Sequence, residues 1–115
     1  MTVKECYEKI GADYEGVLQR FGSEVLVKKF ALKFLNDASF QNLQEALKNR
    51  DAEEAFRASH TLKGICANLG LDNLYTVSSD LTEQLRGRSL DGYEEKYKKV
   101  EEQYHLTAEA IEQIA

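Results

Sequence analysis

Proline is absent from this chain, and with it any proline-rich linker or spacer. Basic surface is also scarce. Fifteen Lys and Arg against 20 Asp and Glu leave a formal net charge of -5, so the chain lacks the basic stripe that a phosphate backbone attracts. No apolar run approaches the ~20 residues needed to cross a bilayer. The first residues, Met1-Thr2-Val3-Lys4-Glu5-Cys6-Tyr7-Glu8, mix charges and lack the apolar core of a signal peptide. A cytoplasmic protein without a nucleic-acid or membrane partner is expected.

Cysteine is equally sparse, with only Cys6 and Cys66, too far apart to suggest a disulfide framework or a zinc site. Cys66 falls on an apolar helix face, where a free thiol behaves as a small hydrophobe. The chain has no Gly-x-x-x-x-Gly-Lys loop, no Gly-x-Gly-x-x-Gly fingerprint and no Gly-x-Ser-x-Gly elbow. Nucleotide binding and hydrolase chemistry are therefore unsupported. Strand alternation, internal repeats and low-complexity tracts are missing too.

What remains is 115 residues, 43% hydrophobic and 30% charged, enough for one domain over residues 1–115 with a real core. Glycines and capping residues punctuate it. Thr2 to Ile10 reads as a short helix stopped by Gly11, and Asp13 to Phe21 as another that ends at Gly22. Ser23 can cap a helix from Glu24 to about Asn36, with Val27, Phe30, Ala31 and Phe34 at helical spacing. A helix from about Phe40 to Lys48 follows, with Leu43 and Leu47 as its stripe.

Asp51 followed by Glu54 resembles a capping box opening a helix that runs to about Leu69 and stops at Gly70. Asp72 is positioned to cap the next, carrying Leu74, Val77, Leu81 and Leu85 and ending near Gly87. From about Asp91 to Ile114, Tyr93, Tyr97, Val100, Tyr104, Thr107, Ile111 and Ile114 alternate spacings of four and three, a heptad seam. These segments predict an all-α protein: an antiparallel four-helix bundle with short N-terminal helices as added cover.

The stretch Ser59-His60-Thr61-Leu62-Lys63-Gly64 carries the chemistry. On a helical wheel Ala55, Leu62, Cys66 and Leu69 cluster on the core side, and His60 falls about 150° from their centre. Lys63 lies about 60° to one side of His60 and Gly64 about 40° to the other. A glycine inside an exposed helix costs about 1 kcal/mol relative to alanine, and beside a reactive side chain such a departure points to function. With no side chain at 64, another protein's surface can approach the imidazole.

Imidazole is substantially neutral and nucleophilic near neutral pH, so His60 suits a covalent intermediate, and Lys63 can offset negative charge on a group attached there. Phosphoryl is the natural candidate. A Glu-x-x-His pair, Glu102 and His105, is half of a carboxylate-bridged di-iron motif. The other half is missing, since Arg57 stands at that spacing before His60. His105 is therefore read as a surface residue flanking the Tyr104 seam.

The run Ala58-Ser59-His60-Thr61-Leu62-Lys63-Gly64-Ile65-Cys66-Ala67-Asn68-Leu69-Gly70 closely resembles the signature of histidine-containing phosphotransfer (HPt) domains. The resemblance extends more loosely over nearly the whole chain. It implies a four-helix bundle that carries phosphoryl groups between receiver domains of a multistep phosphorelay, a phosphocarrier rather than an enzyme. His60 would be the phosphoacceptor, Lys63 would stabilise the phosphoryl group, and Gly64 would leave room for the receiver. Gly70 matches the family's second glycine and is read as ending the helix.

The implied partners are response-regulator receiver domains and a hybrid sensor histidine kinase. The metal and carboxylates that assist transfer would reside in the receiver, and no cofactor or metal is expected in this chain. Arg57, Ala67 and Asn68 flank His60 on the wheel and are positional candidates for docking. A monomer is expected. A module that docks receivers without carrying phosphoryl, and a metal-dependent bundle enzyme, are the alternative readings.

Overall fold

The computed structural model describes all of residues 1–115 and contains seven α-helices and no strand. They are α1 (Val3–Lys9), α2 (Tyr14–Phe21), α3 (Glu24–Phe34), α4 (Ser39–Lys48), α5 (Ala52–Leu69), α6 (Asp72–Leu85) and α7 (Glu94–Glu112). The boundaries follow local chemistry. Thr2 and Glu5 form a reciprocal capping box, with Glu5 N donating to Thr2 Oγ1 at 3.1 Å and Thr2 N to Glu5 Oε1 at 2.9 Å. Asp13, Ser23 and Asp51 each accept a backbone N–H from the first turn of α2, α3 and α5.

Two local expectations change. Asp72 does not cap α6: Leu71 occupies the cap position and makes no side-chain cap bond, while Asp72 lies inside the first turn. There its charge still suits the positive end of the helix dipole. The Asp51 box is only half formed, because the Glu54 carboxylate turns to Arg57 at 3.0 Å instead of back to the cap.

Five helices, not four, exceed nine residues, since α3 and α4 share one arm of the bundle. Phe30 and Phe34 of α3 meet Ile65 and Leu69 in the C-terminal half of α5. Ser39 and Asn42 of α4 lie beside Arg57, Ala58 and Thr61, and Ala46 beside Asp51 and Glu54. The arm therefore runs antiparallel to α5 with a break at residues 35–38. The Gly70–Leu71 turn reverses the chain into α6. Farther on, α7 returns along α6, with Lys96 Nζ 3.2 Å from Gln84 Oε1. Phe40 of α4 stacks on Tyr104 of α7 at 4.0 Å between centroids, closing the ring of helices.

One hydrophobic cluster of 25 buried residues, from Val3 to Ile111, joins every helix. Of the seam read along α7, Val100, Tyr104 and Ile111 belong to this cluster and Thr107 is also buried, while Tyr93, Tyr97 and Ile114 are half-buried against it. The short helices α1 and α2 cover the end of the bundle where α5 stops. Tyr7 donates to the Leu69 carbonyl at 2.7 Å, and Asp13 N to the Gly70 carbonyl at 2.9 Å. No helix is long and apolar enough to cross a membrane.

Candidate functional site

Helix α5 is tied down at both ends, by the Asp51 cap and by Gly70, whose φ of +66° is the left-handed conformation that ends helices. Its last turn contains no basic side chain of its own. Arg20 of α2 supplies one, donating to the carbonyls of Ala67 and Asn68 and complementing the negative end of the dipole.

At the middle of α5, Ser59 faces the bundle and His60, about 100° farther round the helix, faces solvent. Ser59 is fully buried and its hydroxyl lies 2.7 Å from that of Thr82, which donates to the Ser78 carbonyl at 2.7 Å. This buried polar link pins the rotation of α5 against α6. The next residue is thereby turned out, and His60 is exposed as the wheel placed it.

The His60 ring rests on Phe56, one turn earlier, with centroids 5.9 Å apart and planes inclined by 14°. Phe56 is half-buried, and the Arg88 and Arg86 guanidinium carbons lie 3.9 and 5.3 Å from its centroid. Both arginines come from the connection between α6 and α7. On the other side of His60, Lys63 is half-buried and Gly64 exposed. A Cβ built at Gly64 would meet nothing within 4 Å, so the fold does not require a glycine there.

All four ion pairs of the protein gather around this face. Arg57 pairs with Glu53 at 3.3 Å and Glu54 at 3.0 Å, Arg86 with Glu83 at 2.9 Å, and Arg88 with Glu53 at 2.8 Å. The Arg88 hydrogen bond holds the Glu53 carboxyl below its ordinary range, and Arg86 does the same for Glu83, with a smaller contribution from the charge of Lys63. Lys63 enters none of these pairs. It is the cation of this face not committed to a carboxylate at ion-pair distance.

The residues picked out as docking candidates fall on two sides. Arg57 is exposed but engaged by two glutamates. Ala67 and Asn68 are exposed past Gly64, and Asn68 borders a groove of about 170 Å³ lined also by Phe30, Lys33, Phe34, Asp37 and Ile65. Glu102 and His105 are exposed on α7 instead of facing the bundle interior, where a di-iron centre would need them. The His105 ring packs edge-on against Phe40 and Tyr104.

Sequence reading missed Phe56, Arg86 and Arg88. Phe56 leaves a signal, an aromatic four residues before His60 on the same outward face. The arginines leave none, because only the chain reversal after α6 carries them to α5.

A family model described as Hpt domain matches residues 35–114. This chain belongs to the Hpt domain family. The Hpt match spans α4 to α7, including all of α5, while residues 1–34 lie outside it. Hpt domains are phosphotransfer modules of two-component signalling, phosphocarriers that interact with receiver domains. No curated protein and no solved structure gives a match.

Proposed function

We propose that this Hpt protein is a histidine phosphotransfer protein of a multistep phosphorelay, with His60 as phosphoacceptor. The observation that carries this reading is the exposed imidazole on a helix whose rotation is fixed from behind, with uncommitted Lys63 on one side and open Gly64 on the other. A ring nitrogen of His60 attacks the phosphorus of a receiver's aspartyl phosphate. The P–N bond forms as the acyl phosphate P–O bond breaks, and the electron pair leaves with the receiver's carboxylate. The reverse sequence delivers phosphoryl to an aspartate of a second receiver.

Lys63 neutralises charge on the bound phosphoryl group, and Gly64 lets the receiver approach. The divalent metal and the carboxylates that assist the transfer belong to the receiver. We read the whole chain as one cytoplasmic, monomeric domain, with a hybrid sensor kinase upstream. Arg57, Ala67 and Asn68 border the docking surface in this reading.

Incubation with a phosphorylated receiver tests it. Acid-labile label is expected on the wild-type protein and not on His60→Gln. Label that survives the substitution, or a docked complex that never gains acid-labile phosphate, overturns the assignment.

A further inference from the structure

The α6–α7 connection reaches back to α5 at a backbone cost. Arg88 has φ of +57°, a left-handed conformation that disfavours any residue with a Cβ by roughly 1–2 kcal/mol. That backbone delivers its guanidinium to three partners: the Phe56 ring at 3.9 Å, Glu53 Oε2 at 2.8 Å and the Arg86 carbonyl at 2.6 Å. These contacts together fix the guanidinium against α5.

Phe56 is an unusual residue for this place. It lies on the outward face of α5, where glutamate, arginine, histidine and glycine are its neighbours. Its ring has three partners, the Arg88 cation at 3.9 Å, the Arg86 cation farther off at 5.3 Å, and the His60 imidazole. The imidazole contact is nearly parallel, within the separation at which offset aromatic stacking stabilises. Stacking also suits a nucleophile. The lone pair of an imidazole nitrogen lies in the ring plane, so a neighbour against the ring's face restrains the side chain without occupying that nitrogen. A hydrogen-bonding partner would occupy one.

We propose that Phe56 and Arg88 are positioning residues for His60: the loop guanidinium clamps the Phe56 ring, and that ring confines the imidazole to one orientation. Glu53 holds the clamp from the far side. Confining the nucleophile before the receiver arrives removes part of the ordering needed in the transition state. This inference rests on the reading of His60 as phosphoacceptor, and it adds two residues that act without touching the phosphoryl group.

Two measurements on the full chain test it together. In the first, transfer from a phosphorylated receiver is timed for the wild type, Phe56→Leu, Phe56→Tyr and Arg88→Gly. Phe56→Leu is expected to be slower by about five-fold, while Phe56→Tyr, which keeps the ring face, stays within about two-fold. Arg88→Gly relieves the left-handed backbone, so its melting temperature should not fall below the wild type's even as its transfer slows. In the second, proton NMR of the unphosphorylated proteins reads ring-to-ring contacts between Phe56 and His60 and the χ1 coupling of His60. The contacts and a single rotamer are expected in the wild type and Phe56→Tyr, with averaging in Phe56→Leu and Arg88→Gly.

Wild-type transfer rates in both Phe56→Leu and Arg88→Gly, or averaged His60 couplings already in the wild type, overturn the positioning role and leave His60 as phosphoacceptor intact. Failure of the wild type to take label overturns the phosphoacceptor reading. The NMR comparison still decides whether the clamp orders the imidazole.

Discussion

The hydroxyl of Tyr7 donates to the backbone carbonyl of Leu69 at 2.7 Å, joining the first helix to the last turn of α5 across 62 residues of chain. Tyr7 is fully buried, and that burial pushes its phenol well above the ordinary range. The bond accepts no substitute from water. Tyr7→Phe is expected to lower stability by about 1–2 kcal/mol, read from the urea midpoint at unchanged slope. A variant as stable as the wild type would show that the N-terminal cover does not support α5.

Gly70 combines a left-handed φ of +66° with a close approach of the α1–α2 connection. An added Cβ would collide with Val17 and lie 2.9 Å from the Asp13 carbonyl oxygen. Gly70→Ala is expected to cost about 2–5 kcal/mol, the sum of the backbone and overpacking penalties. Thermal unfolding by circular dichroism measures it. A loss well under 1 kcal/mol would mean that α2 moves away at little cost.

Gly64 should behave in the opposite way. Nothing in the fold opposes a side chain there, and alanine is the better helix former. Gly64→Ala is therefore expected to raise stability by about 1 kcal/mol. Gly64→Gln should fold equally well and slow phosphotransfer by roughly 10–100-fold through displacement of the docked receiver. Unimpaired transfer in Gly64→Gln would remove steric access as the reason for the glycine.

The ion pairs around His60 set an acid limit. Hydrogen bonds from Arg88 and Arg86 depress Glu53 and Glu83 below the ordinary value of 4.5. A carboxyl lowered in the folded state contributes stability that is complete above the unfolded value, and the contribution is lost as pH falls below it. Melting temperature from about pH 5 to about pH 3 should decline less steeply in the Glu53→Gln/Glu83→Gln double variant than in the wild type. The gap should be small, since both carboxylates are exposed. Parallel declines would show that these pairs contribute nothing.

The parts of this molecule legible in its sequence are those governed by short-range rules. Ser23, Asp13, Gly22 and Gly70 punctuate helices by cap bonds and left-handed turns within a few residues, and the α2, α3 and α5 boundaries follow them to within about two residues. The outward turn of His60 follows from helical period alone. Asp72 failed as a cap because α6 begins one residue earlier than read, with Leu71 at the cap position and Asp72 in the first turn.

By itself, then, the sequence determined an all-helical fold and an exposed His60 with Lys63 and Gly64 as its neighbours. Periodicity and capping act over three or four residues, so they can be read without a structure. Only the tertiary structure decided that Arg86 and Arg88 return to the His60 face, that Phe56 links Arg88 to the imidazole, and that Gly70 is compressed between two segments as well as ending a helix. Each of those relations joins residues far apart in the chain, and their meeting depends on how whole helices pack.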